Sequence, residues 1–285
     1  MTAAAAHRVL FVHAHPDDES ITTGGTIARY AAEGAHVSVV TCTLGEEGEI
    51  IPAGLDQLGA WAGDQLGGYR AGELAAAGAA LGWTEHRFLG GIGRWRDSGM
   101  AGTSSAEHPR AFVQGRVAEQ VDQLLAVFDE LRPEVVVTYD DRGGYGHPDH
   151  IRAHEITTAA VARSPWVRRL FHTVASREAT ARGLAALRGR SDLPHGRDGL
   201  DFRVPAEDEL PTYPDAAITT RIHLGPHRAA KFAALRAHAT QIAVGPDCFA
   251  LSNGVAQPVP DTEFLVLVRG PEEGVGTDLF AGLTP

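Results

Sequence analysis

Two short strings hold most of the residues able to do chemistry. His15-Pro16-Asp17-Asp18-Glu19 sets an imidazole three residues before a carboxylate on a proline turn, with a second carboxylate between them. At that spacing His15 and Asp18 can converge on a divalent metal while Asp17 points elsewhere as an acid or base. The same string also suits a plain surface turn in which Asp18 only caps a following helix. The second string, Gly143-Gly144-Tyr145-Gly146-His147-Pro148-Asp149-His150, repeats His-Pro-Asp and adds two imidazoles. If the strings meet in space, a third protein ligand becomes available and a metal keeps the open position that catalysis needs.

Both strings follow apolar runs. Arg8 to Ala14 and Glu134 to Tyr139 are nearly continuous β-branched and aromatic stretches, the pattern of strands buried on both faces of a parallel sheet. After the first string, Ile21 to Glu33 has helical composition and stops at Gly34, and Ala35 to Thr43 returns to strand, the size of a right-handed βαβ unit. Gly72 to Leu81 reads as a helix. Val113, Val117, Val121, Leu124, Phe128 and Leu131 share one face of another, closed by Pro133, and a helix is expected over 149–162. Pro226 to Thr240 reads as a further helix, and Ile218 to Leu224 and Glu263 to Arg269 as strands. The glycine-rich connectors 45–61 and 90–109 are long enough to suggest function, and 175–214 lacks a period and is expected to be irregular. The expected fold is α/β and Rossmann-like: a mostly parallel sheet flanked by helices, with C-terminal elaborations. One domain spans 1–285, its metal-binding core in 1–174 and a smaller C-terminal subdomain in 175–285 completing it.

Composition narrows the class. With 25 Lys and Arg against 36 Asp and Glu, the net charge of −11 disfavours nucleic acid as a partner. Two cysteines cannot build a disulfide framework or a four-cysteine zinc cage, which fits a reducing compartment, so the cytoplasm is expected. No apolar run approaches the roughly 20 residues of a membrane helix, and Met1 to Arg8 lacks a signal-peptide pattern, so neither membrane nor secretion is expected. No Gly-x-Gly-x-x-Gly follows the first strand and neither a P-loop nor a Gly-x-Ser-x-Gly elbow occurs, so Gly24-Gly25 reads as a place of close helix approach. Cys42 ends a buried strand without an activating neighbour.

Ala14 to Glu19 together with Gly146 to His150 resembles the N-acetylglucosaminyl-phosphatidylinositol de-N-acetylase-like family of metal-dependent deacetylases. Thr41 to Glu49, Asp64 to Arg70 and Gly93 to Gly99 are similar to its mycothiol-biosynthesis branch, which removes acetate from N-acetylglucosaminyl-inositol. The likeness covers most of 8–162, fades between Ser164 and Pro214, and returns in Ala237 to Gly245. It implies that His15, Asp18 and His150 hold a zinc ion, or a ferrous ion, with Asp17 as general base. Tyr145 and His147 then stabilise the oxyanion or protonate the departing amine, and Asp149 orients His147. Arg70 and Asp97, and after them Glu49, are the expected sugar contacts because charged connector residues often bind. His154 shares a helix face with His150 but is expected to pack or to sit outside the ligand set.

Two rival functions remain on the sequence. An amidase of mycothiol S-conjugates would use the same metal site on a bulkier amide, against which the tight Gly144-Tyr145-Gly146-His147 string favours acetyl. A catalytically silent sugar-binding module would keep the ligands without turnover, against which Asp17, Tyr145 and His147 speak. The expected partner is a small-molecule glycoside, and a homo-oligomer stays open.

Overall fold

In the computed structural model, which describes residues 6–194, 200–206 and 208–284, the first apolar run forms β1 (Arg8–His13), buried from Val9 onward. Then come α1 (Asp18–Thr22), α2 (Gly24–Ala32), β2 (His36–Thr41), α3 (Leu66–Leu81), β3 (Glu85–Phe88), α4 (Val117–Leu131) and β4 (Val135–Tyr139). The second half holds α5 (Gly143–Gly146), α6 (Pro148–Arg163), β5 (Arg169–Val174), α7 (Arg177–Arg188), β6 (Thr220–His223) and α8 (Arg228–Ala237). Short β7 (Ala243–Gly245), β8 (Cys248–Ala250) and β9 (Gln257–Pro258) make a separate antiparallel sheet, and β10 (Thr262–Arg269) ends the regular structure.

The main sheet has seven strands in the order β3-β2-β1-β4-β5-β10-β6. The first five run parallel, and β10 lies antiparallel between β5 and β6. β1 touches β2 on one side and β4 on the other, with Val9 opposite Val135 and Phe11 opposite Val137. Strand order reverses there, so a crevice opens beyond the carboxyl ends of β1 and β4, the usual ligand position in such sheets. Alternation along the strands feeds two cores. Leu10, Val12 and Val136 pack with Leu124 and Phe128 of α4 and Ile156 of α6. Val9, Phe11 and Val137 pack on the opposite face with Ile27, Ala77, Ala234 and the tail residues Leu279 and Phe280.

Three expectations are corrected. The single helix expected over 21–33 is two, broken at Thr23, whose hydroxyl bonds the Glu19 carbonyl at 3.1 Å and meets His13 Nε2 at 3.0 Å. α2 then starts afresh under a buried acid: Glu263 accepts from the N–H groups of Gly25 and Thr26 at 2.9 and 2.7 Å. A side chain on Gly25 would meet Leu224 at 2.3 Å, so a close approach does require glycine there. Within 175–214, α7 is regular; Ser176 caps it by accepting from the Ala179 N–H at 3.0 Å, and Leu184 and Leu187 are buried. Val113 sits in a one-turn 3-10 segment ahead of α4, because Gly115 and Arg116 are extended. Positions 1–5 of the chain start, and 195–199 and 207 of the stretch expected to be irregular, lie outside the described residues. Among the described residues, no helix is long and apolar enough to cross a membrane.

Glu263 also holds Lys231 of α8 at 2.5 Å, both nearly fully buried. Glu263→Ala leaves that ammonium buried with only the Ile21 carbonyl and frees two helix-start N–H groups, so denaturant unfolding should show a loss of about 3–5 kcal/mol. A loss within about 0.5 kcal/mol, typical of a surface change, would contradict this bracing role.

Candidate active site

The turn after β1 sends its two carboxylates in different directions. Asp17 takes φ 117 and ψ −32, outside the small left-handed well that an Asp tolerates. Holding a residue there costs about 1–3 kcal/mol, which the surroundings must over-determine. Its carboxylate Oδ2 accepts from Arg70 Nη2 at 3.0 Å, and its N–H donates to Glu19 Oε2 at 3.0 Å. Asp18 faces the other way. Its Oδ2 accepts from the His15 N–H at 2.9 Å and from the Tyr139 hydroxyl at 2.8 Å. Tyr139, the last residue of β4, in turn accepts from the Ala14 N–H at 2.8 Å and stacks on His150, so the two strand ends are tied together.

The string after β4 closes on the same spot. Gly143 takes φ 63, and a Cβ there would lie 2.6 Å from the His150 Cβ, so only glycine lets the loop fold back on the start of α6. His15 Nδ1, Asp18 Oδ2 and His150 Nε2 then stand 3.3, 3.3 and 3.2 Å apart. Ligands at about 2.0–2.1 Å from a tetrahedral ion are separated by about 3.3–3.4 Å, so the triangle has the right size.

Hydrogen-bond partners settle which lone pairs face it. His150 Nδ1 lies 3.1 Å from the Gly143 carbonyl, which can only accept, so that nitrogen carries the proton and Nε2 is bare. His15 Nε2 lies 3.2 Å from Asp149 Oδ2, a carboxylate, so Nδ1 is bare in the neutral ring. With both rings neutral, two nitrogen lone pairs and a carboxylate oxygen point at one place, an arrangement that a cation relieves. His147 is the reverse. Its Nδ1 accepts from the Asp149 N–H at 3.1 Å, so the neutral ring presents an N–H at Nε2. Two other groups also bring ligand atoms within 4.8 Å of one another, His15 with His147 and His150, and His15 with Asp97 and Asp149. The first would need the His147 nitrogen that bears the proton. In the second, the His15 N–H already lies between two carboxylates, 3.2 Å from Asp149 and 3.5 Å from Asp97. The donor set that fits a divalent metal is thus His15, Asp18 and His150.

Several of the expected residues make contacts that the sequence did not announce. Asp149 reaches His147 only through its main chain; its carboxylate accepts from His15 and, at 2.9 Å, from the Ser98 N–H. Arg70 is on α3 rather than in a connector and is 3% exposed, its guanidinium bonded to Pro16 O, Gly45 O and Asp17. It braces the turn from this buried position, its Nε without a partner among the described residues. Asp97 is buried too, accepting from the Gly99 N–H at 2.8 Å beside His15 and His147. Glu49 is exposed and takes the Ser252 hydroxyl at 2.5 Å. Tyr145 is half-exposed, its ring 5.0 Å from that of His150 and 6.1 Å from that of His147. His154 Nδ1 bonds the Tyr139 carbonyl at 3.0 Å, away from the donor triangle. Sequence reasoning missed Tyr139, Ser98 and the Glu19–His238 contact. The one available signal was a tyrosine ending a buried strand, whose hydroxyl demands a partner.

Burial opposes charge throughout, and neighbours decide the outcome. Burial pushes Asp17 up to about 6, with Asp18 adding to the rise and Arg70 working against it. Burial would raise Asp18 as well, but the His150 and His15 imidazoles hold it well below the usual range. Burial disfavours a charged His15, but Asp97, Asp149 and Asp18 outweigh it and raise the ring, so a proton and a cation compete for Nδ1. Burial, helped by His15 and His150, drives His147 down to about 3, so it is a neutral N–H donor at pH 7. A dication placed among them would further favour the ionised carboxylates.

A cation-seeking donor set with a second carboxylate beside it, in the switch crevice of a parallel sheet, is the equipment of a metal-dependent hydrolase. The chain belongs to the PIG-L family, GlcNAc-PI de-N-acetylase, whose profile matches residues 10–161. A relative from Saccharomonospora viridis named 1D-myo-inositol 2-acetamido-2-deoxy-alpha-D-glucopyranoside deacetylase is 77% identical over 96% of this chain and 100% of its own. A relative of the same name from Actinosynnema mirum is 62% identical over 99% of both chains. Among solved structures, the N,N'-diacetylchitobiose deacetylase of Pyrococcus horikoshii has a TM-score of 0.54 at 18% identity, covering 98% of this chain and 87% of that one. The 4-carboxy-2-hydroxymuconate hydratase of Pseudomonas putida scores 0.58 at 17% identity, covering 93% and 97%. These likenesses establish the fold, which carries a hydratase as readily as a deacetylase.

Because its carboxylate fixes the tautomer of His15, Asp149→Ala should weaken metal affinity by about 10–100-fold with the fold retained. Competition with a chelator of known affinity measures it, and an unchanged dissociation constant would remove Asp149 from the support of His15.

Proposed function

We propose that the chain is a metal-dependent N-deacetylase that hydrolyses 1D-myo-inositol 2-acetamido-2-deoxy-alpha-D-glucopyranoside to the free amine and acetate, a step of mycothiol biosynthesis. The observation that carries the reading is the convergence of His15 Nδ1, Asp18 Oδ2 and His150 Nε2 beside a carboxylate, Asp17, that is not needed among them. The near full-length relatives named for that substrate supply its identity and favour the acetyl amide over a bulkier conjugate. One deacetylase domain over 1–285 fits the way β6 and β10 complete the sheet begun by β1. A small glycoside is the partner, with neither nucleic acid nor membrane required, and the cytoplasm is the compartment; the net charge of −11 suits this. Zinc is the proposed ion, with ferrous iron as the other occupant that two imidazoles and a carboxylate accept.

An ion held by these residues supplies Lewis-acid polarisation of the amide carbonyl and of the attacking water. Asp17, steadied by Arg70, takes the proton from that water; burial suits it to the task by bringing its affinity for a proton toward neutrality. The His147 N–H donates to the oxygen on which negative charge develops, and being neutral it does so without giving up its proton beforehand. Tyr145, on a loop where Gly143, Gly144 and Gly146 all have positive φ, stands at the mouth with its hydroxyl free to approach the same oxygen. Asp97, beside His15 and His147, and the exposed Glu49 are the proposed contacts of the sugar hydroxyls.

Acetate release from the N-acetyl pseudodisaccharide, measured on anaerobically purified protein with its metal content, tests the reading. Turnover proportional to bound metal and faster than on a mycothiol S-conjugate is expected; preference for the conjugate, or binding without acetate release, would overturn it. Asp17→Asn should keep the metal and lose turnover by about 10²-fold or more. His147→Ala should likewise keep the metal and lose about 10² in kcat. Asp18→Ala and His150→Ala should come out of dialysis against one metal buffer depleted of metal. If His147→Ala is the depleted variant instead, the roles of the two histidines are exchanged.

A further inference from the structure

Behind Asp17 lies a buried pair that the chemistry above does not use. Glu19 and His238 are both 0% exposed, with His238 Nε2 2.8 Å from Glu19 Oε1. The same oxygen accepts from the Ser20 hydroxyl at 2.5 Å, and the other oxygen, Oε2, accepts from the Asp17 N–H at 3.0 Å. Helix-start electrostatics alone would leave Glu19 facing solvent. Instead it is driven inward onto an imidazole that follows α8, near the other end of the chain.

The segment bearing His238 is itself held. The N–H groups of Gln241 and Ile242 both donate to the His238 carbonyl, at 3.0 and 2.8 Å. Thr240 donates its N–H and hydroxyl to Glu73 at 2.8 and 2.7 Å, and its carbonyl accepts from the Ile51 N–H at 2.9 Å. Glu73 lies three residues after Arg70 on α3, hence on the same face, and Arg70 grips the Asp17 carboxylate. The contacts form a ring: α3 to Asp17 through Arg70, Asp17 to Glu19, Glu19 to His238, and the 238–241 segment back to α3 through Glu73.

We propose that His238, acting through Glu19, is a positioning residue that keeps the Asp17 main chain in its strained conformation and so aims the carboxylate. This rests on Asp17 being the general base. A non-glycine residue at φ 117 persists only when its neighbours over-determine it, and that peptide is held at its N–H by Glu19 and at its Pro16 carbonyl by Arg70. Without His238, Glu19 Oε1 keeps only the Ser20 hydroxyl, and the turn loses its link to the 238–241 segment. Misplacement of a catalytic group by an ångström costs about 10²-fold in rate, so the ring is a lever on turnover rather than on binding.

His238→Met removes the donor at similar volume, whereas His238→Gln keeps an amide N–H able to reach Glu19. With metal loaded, the Met variant should lose about 10²-fold in kcat for acetate release with KM and metal stoichiometry unchanged. The Gln variant should stay within roughly tenfold of wild type. The Asp17 backbone amide, read by hydrogen exchange, should be protected in wild type and the Gln variant and exchange faster in the Met variant. Wild-type kcat and Asp17 protection in the Met variant would overturn the proposal, as would equal losses in both variants accompanied by loss of metal. Should the Met variant fail to fold, His238→Asn, whose amide is too short to reach Glu19, takes its place with the same expectation. A wild-type protein that releases no acetate would defeat the functional reading alone, since the Asp17 exchange arm still reads the positioning.

Discussion

Lone pairs of like sign aimed at one buried point repel one another unless something positive sits among them. His15 Nδ1, Asp18 Oδ2 and His150 Nε2 are brought to 3.2–3.3 Å by the surrounding structure, and either a proton on His15 or a cation supplies the positive charge. The Gly143 carbonyl turns His150, the Asp149 carboxylate turns His15, and the Tyr139 hydroxyl and the His15 N–H hold Asp18. Each orienting group comes from the carboxyl ends of β1 and β4 or from the segments that follow them. Their meeting depends on those strands being parallel neighbours at the point where the sheet order reverses.

Adjacent aspartates acquire different surroundings from the backbone between them. The φ of 117 at Asp17 rotates its side chain toward α3, while Asp18 opens α1 facing β4. Strain at Asp17, the buried Arg70 guanidinium and the ring through Glu19 are the structural means of keeping them separate.

Much of this was legible in the sequence, and the reasons for the gaps are physical. Unbroken apolar runs identified β1 and β4, and polar strings directly after them located the crevice. The periodicity of Val117 to Leu131 marked α4 because its buried face is apolar. Ser176 began α7 with ordinary capping chemistry, but basic residues and Gly183 within it hid the apolar face formed by Leu184 and Leu187. Side-chain direction was not legible. Spacing allowed Asp149 to orient His147, but the fold places its carboxylate on His15 and only its N–H on His147. Arg70 read as a free charge because nothing local announces a partner 53 residues away. His238 had no chemical neighbour in sequence at all, since Glu19 lies 219 positions before it. The hydratase that shares the architecture makes the complementary point: the sheet supplies a crevice, and the side chains in it choose the reaction.

The most direct measurement is a crystal structure of the protein equilibrated with its divalent metal, with anomalous data collected on both sides of that metal's absorption edge. One anomalous peak per chain is predicted within about 2.0–2.2 Å of His15 Nδ1, an Asp18 oxygen and His150 Nε2. Asp17 should remain on Arg70, and His147 should retain its bond from the Asp149 N–H. A peak between His15, Asp97 and Asp149, or one that recruits His147 in place of His150, would contradict the convergence on which the functional reading stands.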